Sequence, residues 1–371
     1  MKQWSVLIET CIDLPNPKLQ GKIMINIYLL IVLEAIVIYL ATHLLFPLNL
    51  KFSNKLKLIA YPNERRINKK PIPEAGGLCF ALPILIAQAT FGIFSGNTEI
   101  GKMLLELAGV GFLALLFGLW DDRYESRARY KLIWQICLAV IMYLSGYKVL
   151  YLTNPFGSEF VLGWLAFPVT IFWYLLMFNA INFIDGLDGL ACGITIIVCA
   201  VLLTIGIKDN NQLVIAISSF LIAGNLAFLH YNFYPAKIFL GETGALFIGL
   251  NIAAISTATT AQYKGITSMT LMVPIAAMAL PLIDIILAVF RRLRLGNIFQ
   301  ADKKHIHHTM LEFGFSQRSI AIIVYFVTLM FGLIAIGFSF SSKKVLFTLL
   351  LGLFAFIVII AYLLMRQERK K

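Results

Sequence analysis

The sequence is poor in charged residues. Asp, Glu, Lys and Arg together make up 13% of its 371 residues, whereas 60% are hydrophobic, and the mean hydropathy is +0.84. Soluble globular domains carry about 25% charged residues, so this composition excludes an ordinary water-soluble protein. We therefore expect a chain that faces hydrocarbon over most of its length.

Cysteines and glycine-rich nucleotide motifs are also scarce. The five cysteines show no CxxC spacing, which argues against a disulfide framework or a cysteine-based zinc site. Neither GxGxxG nor GxxxxGK occurs, so the sequence offers no Rossmann or P-loop nucleotide site. The first twenty residues lack the pattern of a cleavable signal. We predict a single membrane domain over 1–371, with an outer tail at 1–22 and a basic tail at 366–371.

Long apolar runs recur along the whole chain. A helix needs about 20 residues to cross about 30 Å of hydrocarbon. Runs of this kind lie near 23–46, 77–95, 103–120, 130–147, 162–179, 189–207, 213–230, 239–257, 269–290, 319–339 and 345–365. The sequence therefore predicts an all-α polytopic membrane protein with about eleven transmembrane helices.

Lys and Arg are distributed unevenly between alternate loops. Most of the 31 basic residues lie on one side of the predicted membrane, and basic residues near span ends tend to stay on the cytoplasmic side. This predicts an outer N-terminus and a cytoplasmic C-terminus. The formal net charge of +12 would suit anionic lipid headgroups or a polyanionic substrate.

Four polar clusters interrupt the apolar chain, and all of them fall on the basic side. They are Asp121-Asp122, the run from Asn179 to Asp188, the stretch from Phe239 to Glu242, and the stretch from His305 to His308. This shared location predicts one cytoplasmic active site.

Asp121 and Asp122 end a predicted span as adjacent carboxylates. Two like charges this close repel, so the pair is tolerated if a cation lies beside it or if one carboxylate takes a proton and serves as a base. The alternative is a solvated acidic pair beside Arg123 and Arg127.

The run NAINFIDGLD places Asn179, Asn182, Asp185 and Asp188 at every third position. On a helix these residues would share one face. Their amide and carboxylate oxygens suit a hard cation such as Mg²⁺. A structural role in capping a helix end would explain Asn179 alone.

The stretch FLGETG places an acid between glycines at the start of another predicted span. Free amides at a helix N-terminus can hold phosphate, and the Glu242 carboxylate could ligate a metal. Phe239 could stack on a nucleobase, although an interfacial aromatic is the commoner case in a chain with 29 Phe.

His305, His307 and His308 follow two lysines in a loop that also carries Arg292. Neutral histidines could bind zinc, but no cysteine is near. Histidines that neutralise a pyrophosphate fit this basic loop better.

Three acids, Glu34, Glu106 and Asp284, fall within predicted spans. A charged acid at mid-bilayer costs about 3 kcal/mol, so these residues should face the bundle interior. Intramembrane acids also occur in ion-coupled transporters, which makes a transporter or flippase the competing class. The other acids cluster at one face of the membrane, which favours an enzyme.

At these motifs the sequence resembles the polyprenyl-phosphate N-acetylhexosamine-1-phosphate transferases, a family of the MraY–WecA superfamily (glycosyltransferase 4). The resemblance covers about 45–320. It rests on PNER with PIPEAGG, then the Asp pair with Lys131, NAINFIDGLDGL, FLGETG, PLID with Arg291-Arg292, and DKKHIHH. The HIHH form is similar to the WecA/TagO-like branch, which uses UDP-N-acetylglucosamine.

The resemblance implies a multi-pass enzyme of the bacterial plasma membrane with its active site on the cytoplasmic face. Its substrates would be a UDP-amino sugar and a polyprenyl phosphate, with undecaprenyl phosphate expected, and its products the lipid-diphospho-sugar and UMP. This reaction initiates lipid-linked cell-envelope glycan synthesis. A homodimer is plausible for the family.

The resemblance also implies residue roles. Mg²⁺, with Mn²⁺ as the alternative, is expected at Asn182 and Glu242, with Asp185 close by. Asp121 would keep the lipid phosphate deprotonated, supported by Asp122 and Lys131. The other expected contacts are uridine at Asp188 and Phe239, diphosphate at His305, His307 and His308, and further substrate binding at Asn179, Arg65 and Arg292.

Three residues depart from the family pattern. Ala60 and Asn68 replace a usual Asp and His in the first loop, and Glu242 replaces the usual metal-binding Asp. They leave open that the chain is an inactive lipid-binding relative. The same reaction on another UDP-N-acetyl amino sugar also stays open, because the choice of sugar depends on a few loop contacts.

Overall fold

A computed structural model describes residues 17–62, 68, 70–95, 98–152, 160–262, 310–311, 314–340 and 352. The predicted span at 269–290, and that at 345–365 apart from residue 352, lie outside the described residues. So do the site candidates Arg65, Arg292, His305, His307 and His308.

Nine α-helices have their bounds within these described ranges. They are α1 (Pro17–Lys55), α2 (Leu78–Phe94), α3 (Thr98–Tyr124), α4 (Ala128–Leu144), α5 (Ala166–Ile184), α6 (Leu190–Lys208), α7 (Gln212–Asn232), α8 (Gly241–Gln262) and α9 (Gln317–Phe340). Two antiparallel pairs of very short strands accompany them: β1 (Ile59–Ala60) with β2 (Ile72–Pro73), and β3 (Tyr151–Leu152) with β4 (Phe160–Val161). The prediction of a helical protein is confirmed.

Six helical segments in the described part of the chain are long and apolar enough to cross a membrane. They are Ile27–Lys55, Glu99–Tyr124, Gly163–Ile184, Leu190–Lys208, Gln212–Asn232 and Gln317–Gly337. Large apolar side chains cover the outside of α1, where Val37 and Leu44 are 61% and 73% exposed. Such a surface is stable only against hydrocarbon or another apolar partner, so the chain is a multi-pass membrane protein.

Glycines bring the N-terminus of α8 against its neighbours. A Cβ added at Gly118 on α3 would lie 2.5 Å from the Thr243 Cα, and one at Gly77 would lie 2.3 Å from the Gly244 Cα. Because neither contact leaves space for a side chain, these glycines set the close approach of α3 and of the start of α2 to α8.

Buried polar pairs connect helices within the bundle. Gln88 on α2 donates to the Asn251 amide oxygen on α8 at 2.6 Å. The Trp173 indole on α5 donates to the Ser256 hydroxyl on α8 at 2.8 Å. Such bonds are a common means of fixing helix packing in a membrane, where apolar contact alone distinguishes helix from lipid poorly. Helix α8 is therefore held from two sides, and its first turn enters the site described next.

Candidate active site

One cavity of about 1030 Å³ gathers residues from three of the four polar clusters. The predicted site residues that line it are Asp121, Asp122, Lys131, Asn182, Asp185, Asp188, Phe239 and Glu242. The sequence stretches that carry them are far apart in the chain, and the helix ends bring them together. The histidine cluster lies outside the described residues, so its place relative to this cavity stays a prediction.

Asp121 is fixed by an ion pair and by the turn that follows α3. Its side chain is 2% exposed, and its Oδ2 lies 2.6 Å from the Lys131 Nζ at the start of α4. The Ser126 backbone N–H donates to its Oδ1 at 2.9 Å, and the Ser126 hydroxyl donates to the same oxygen. The cation and the two donors fix the position of this carboxylate.

Lys131 bridges two carboxylates. Its Nζ contacts the Glu242 Oε1 at 2.7 Å in addition to Asp121. The ammonium group therefore links the end of α3 to the first turn of α8. With one positive charge between two negative ones, the group remains negative overall.

Asp122 caps α8 with both of its carboxylate oxygens. Its Oδ1 accepts a hydrogen bond from the Glu242 N–H at 2.7 Å, and its Oδ2 accepts from the N–H and the hydroxyl of Thr243. The first N–H groups of a helix have no partner within the helix, and an acid stabilises them. Here that acid comes from a different helix, so Asp122 positions Glu242.

Gly241 makes this cap sterically feasible. Its φ is +74°, and a Cβ there would lie 2.8 and 2.9 Å from the two Asp122 carboxylate oxygens. The sequence predicted that the adjacent acids are tolerated if a cation lies beside the pair or if one of them takes a proton. Lys131 is a cation beside the pair, bound to Asp121, and the amides of α8 additionally stabilise Asp122.

The sequence predicted that the polar residues of the NAINFIDGLD run share one face of a helix. This prediction is wrong for the residues after Asn182. Helix α5 ends at Ile184, and Asp185 and Asp188 lie in the turn before α6. Gly189 opens α6 with φ +77°, a left-handed conformation that glycine adopts readily. Asp185 and Asp188 therefore line the cavity from a turn, and not from the face of a helix.

Asn179 does not line the cavity. Its amide donates to the Gln135 side-chain oxygen on α4 at 3.0 Å and to the Leu175 carbonyl at 2.7 Å. The bond to Gln135 connects α5 to α4, so the Asn179 side chain has a structural role. Asn182, one turn later, does line the cavity.

The two acids of the turn have raised pKa values. Burial raises the pKa of Asp185 well above its usual range, and the negative charges of Glu242 and Asp122 raise it further. Burial also raises the pKa of Asp188, partly offset by the hydrogen bond that the Ala236 N–H donates to its Oδ2 at 2.9 Å. Such shifts are typical of functional sites, although structural ion networks produce them too.

The stretch from Phe239 to Glu242 bonds through its backbone to β2 and to the two glycines just before α2. The Phe239 N–H donates to the Pro73 carbonyl, and the N–H groups of Gly76 and Gly77 donate to the carbonyls of Phe239 and Leu240, each at 2.9 Å. The PIPEAGG motif thus holds the FLGETG motif in place. Phe239 is partly buried and faces the cavity.

The structure adds residues to which the sequence assigned no role. Glu74, Lys70, Lys237 and Asn232 also line the cavity. Glu74 lies inside the PIPEAGG motif, which could have identified it. Asn232 carries no signal beyond its position shortly before FLGETG.

Two of the departures from the family pattern meet in the first loop. Ala60 is fully buried in β1. The Asn68 amide donates to the Ala60 carbonyl at 3.1 Å and to the Lys70 carbonyl at 2.8 Å. Asn68, which lines the cavity, is therefore bonded to β1 and to the residue Lys70.

The residues predicted to hold Mg²⁺ are hard oxygen donors that share one cavity. Asn182, Asp185 and Glu242 all line it. Among the described side chains, no three or more His, Cys, Asp or Glu residues form a ready cluster for a metal. Mg²⁺ usually takes only one or two carboxylates and completes its shell with water and substrate phosphate, so the donor set fits this ion.

Known proteins resemble this chain over most of its length. A family model described as glycosyl transferase family 4 matches residues 103–260. Over 338 residues the chain is 32% identical to a probable undecaprenyl-phosphate N-acetylglucosaminyl 1-phosphate transferase of Bacillus subtilis, with 90% of each chain covered. It is 34% identical to a decaprenyl-phosphate N-acetylglucosaminephosphotransferase of Mycobacterium leprae, over 82% of this chain and 80% of the relative. An undecaprenyl-phosphate alpha-N-acetylglucosaminyl 1-phosphate transferase of Escherichia coli is 30% identical, with 78% and 79% covered.

Proposed function

The chain belongs to glycosyl transferase family 4, and from this membership we propose that it transfers N-acetylglucosamine-1-phosphate from UDP-N-acetylglucosamine to undecaprenyl phosphate. An oxygen of the lipid phosphate forms a bond to the sugar-bearing phosphorus. The bond from that phosphorus to the UMP oxygen breaks, and UMP leaves. The lipid product is undecaprenyl-diphospho-N-acetylglucosamine, the first intermediate of a lipid-linked glycan.

One observation supports this assignment most directly: three distant polar clusters converge on one cavity at the ends of membrane helices. A reaction between a membrane lipid and a soluble nucleotide sugar needs a site at this boundary. The cavity presents a cation-paired carboxylate, oxygen donors for a metal, and an aromatic ring. These groups match the phosphate of the lipid, and the diphosphate and nucleobase of the UDP-sugar.

Asp121 is the group proposed to act on the lipid phosphate. Its carboxylate is buried and fixed by Lys131 and Ser126. From this position it can accept a proton from the phosphate, while the Lys131 ammonium attracts the phosphate oxygens. Asp122 supports the reaction by holding the first turn of α8, which carries Glu242.

Mg²⁺ is proposed to bind at Asn182 and Glu242, with Asp185 close by and Mn²⁺ as an alternative ion. When bound, the ion would offset the charge that accumulates as three anionic groups approach each other. The Glu242 carboxylate is already engaged by Lys131, so this side chain has to serve both cations or exchange one for the other.

Asp188 and Phe239 are proposed to recognise the uridine. The partly buried ring of Phe239 can stack on the base, and the Asp188 carboxylate keeps acceptor capacity beyond the bond from Ala236. His305, His307, His308, Arg65 and Arg292 are proposed to bind the diphosphate and other substrate groups, as the resemblance implies.

The topology is proposed as about eleven transmembrane helices with the N-terminus outside and the C-terminus in the cytoplasm. The distribution of basic residues supports this orientation. The cavity would then open to the cytoplasm, where UDP-sugars are made, at the bacterial plasma membrane. A single domain over 1–371 and a homodimer remain predictions.

The test is a reconstitution with defined substrates. Purified protein, undecaprenyl phosphate and Mg²⁺ are incubated with UDP-N-acetylglucosamine, UDP-N-acetylgalactosamine and other UDP-amino sugars in parallel. UMP release and the mass of the lipid product are measured. We expect product from UDP-N-acetylglucosamine, lost in Asp121→Asn.

Product from a different sugar would change the substrate assignment but keep the reaction. Absence of UMP from every sugar, with the Escherichia coli relative active in the same assay, would refute the transferase and favour an inactive lipid-binding relative. Uptake or lipid translocation that survives Asp121→Asn would favour a transporter or flippase.

A further inference from the structure

Asn232 joins the two segments that carry the proposed nucleotide-binding residues. It is the last residue of α7 and is 2% exposed. Its side-chain oxygen accepts a hydrogen bond from the Gly189 N–H at 3.1 Å, and its NH₂ group donates to the Ile238 carbonyl at 2.9 Å. One short side chain thus connects the turn at 185–189 with the stretch at 236–242.

Further contacts hold the same two segments together. The Asp188 carboxylate accepts a hydrogen bond from the Ala236 N–H at 2.9 Å. Gly189 packs against the end of α7, where an added Cβ would lie 2.9 Å from the Phe233 ring. The Tyr325 hydroxyl on α9 donates to the Gly189 carbonyl at 2.7 Å. The turn is therefore joined to the stretch at 236–242, to the end of α7 and to α9, and Asn232 is a buried residue that bonds to both segments.

We propose that Asn232 is a positioning residue for the nucleotide end of the substrate, an assignment that rests on the proposed function. The turn it holds carries Asp188, and the stretch it holds carries Phe239, the two residues proposed for the uridine. Asp121 is held by Lys131 and Ser126 at the junction of α3 and α4, away from the Asn232 bonds, although Lys131 also contacts Glu242 at the far end of the stretch at 236–242. Loss of the Asn232 amide should therefore disturb binding of the UDP-sugar more than binding of the lipid phosphate.

The chemistry of the amide explains why this position carries Asn. The site needs an acceptor toward Gly189 and a donor toward Ile238 from one side chain, and a primary amide supplies both. Leucine has a similar size and supplies neither. Its introduction leaves a buried N–H and a buried carbonyl without their partner, so both segments are free to shift.

The test compares Asn232→Leu and Asn232→Ala with the matched changes at Asn225. Asn225 lies two turns earlier on α7, is fully buried, and donates to the Leu221 carbonyl of its own helix. For each variant, the KM values for UDP-N-acetylglucosamine and undecaprenyl phosphate are measured separately. Calorimetry gives the affinity for UMP, and thermal unfolding in detergent identifies variants that fail to fold.

We expect the Asn232 variants to raise the KM for UDP-N-acetylglucosamine about tenfold and to weaken UMP binding by a similar factor. The KM for undecaprenyl phosphate should change less than about twofold, and the Asn225 variants should resemble the wild type in both. The alanine variant decides the outcome if the leucine variant does not fold.

Equal changes in both KM values, or no change in either, would overturn the positioning role. Wild-type protein that turns over no UDP-sugar would instead refute the proposed function, so the two failures are distinguishable.

Discussion

Replacement of Asp122 by alanine is expected to damage the site through α8. The carboxylate accepts three hydrogen bonds, from the N–H groups of Glu242 and Thr243 and from the Thr243 hydroxyl. A hydrogen bond to a charged group contributes about 1.5–3 kcal/mol, and loss of a helix cap costs about 0.5–2 kcal/mol. Because Asp122 is only partly buried, water replaces some of these bonds, and we expect unfolding free energy to fall by about 2–3 kcal/mol.

Turnover should also fall in Asp122→Ala, because loss of the cap lets Glu242 move. A displacement of about 1 Å at a reacting group can cost about a hundredfold in rate, and the Glu242 N–H is one of the groups that Asp122 holds. Thermal unfolding in detergent and UMP release measure the two effects. Thr243→Val serves as the graded control, since it removes only the hydroxyl bond and should cost about 1 kcal/mol.

A double-mutant cycle distinguishes positioning from direct chemistry. If Asp122 acts through Glu242, then Asp122→Ala should reduce turnover far less in a Glu242→Ala background than in the wild type. Fully additive losses would refute this reasoning, as would a stable Asp122→Ala protein that is as inactive as Asp121→Ala. Asp122 would then act on the substrates directly.

Gly118→Ala should destabilise the protein by about 1–3 kcal/mol, because its Cβ would meet the α8 backbone; Gly109→Ala on the same helix has open space around it and should unfold at the wild-type temperature. Lys131→Met leaves two bridged carboxylates unpaired and should lower UMP release at least about a hundredfold; near-normal turnover would contradict its role. Chelation of divalent ions should stop UMP release, and added Mg²⁺ should restore it; turnover that persists in chelator would rule out the metal. Because its pKa is raised, Asp185 should keep its proton as the pH rises past the point where exposed aspartates ionise. An infrared carboxyl band that is absent in Asp185→Asn would show this, and its absence from wild-type protein at that pH would contradict it.

The sequence predicts the helices well because hydrocarbon imposes a simple rule. A segment in lipid must satisfy its backbone internally and present apolar side chains, so runs such as 189–207 and 213–230 identify α6 and α7 within a few residues. Convergence of the polar clusters was also predictable, because alternate helix ends share one face of the membrane.

Individual contacts in the site could not be predicted in this way. The cap from Asp122 depends on the approach of α3 to α8 through Gly118, which is a long-range packing event. The end of α5 at Ile184 depends on a turn that Gly189 permits, so the spacing of Asp185 and Asp188 misled the helical interpretation. The bridging role of Asn232 depends on two backbone groups from different segments, which leave no trace in residue spacing.

The charges in the cavity give a physical reason for the length of the Glu242 side chain. Its longer arm reaches the Lys131 ammonium at 2.7 Å, and the same ammonium is paired with Asp121. Lys131 neutralises one of these two carboxylates, and the amides of α8 stabilise Asp122. Burial raises the pKa of Asp185, and the negative charges of Glu242, Asp122 and Glu74 raise it further. A divalent cation at the proposed site would offset these negative charges and attract the nucleotide phosphates, so metal binding and nucleotide binding would support each other.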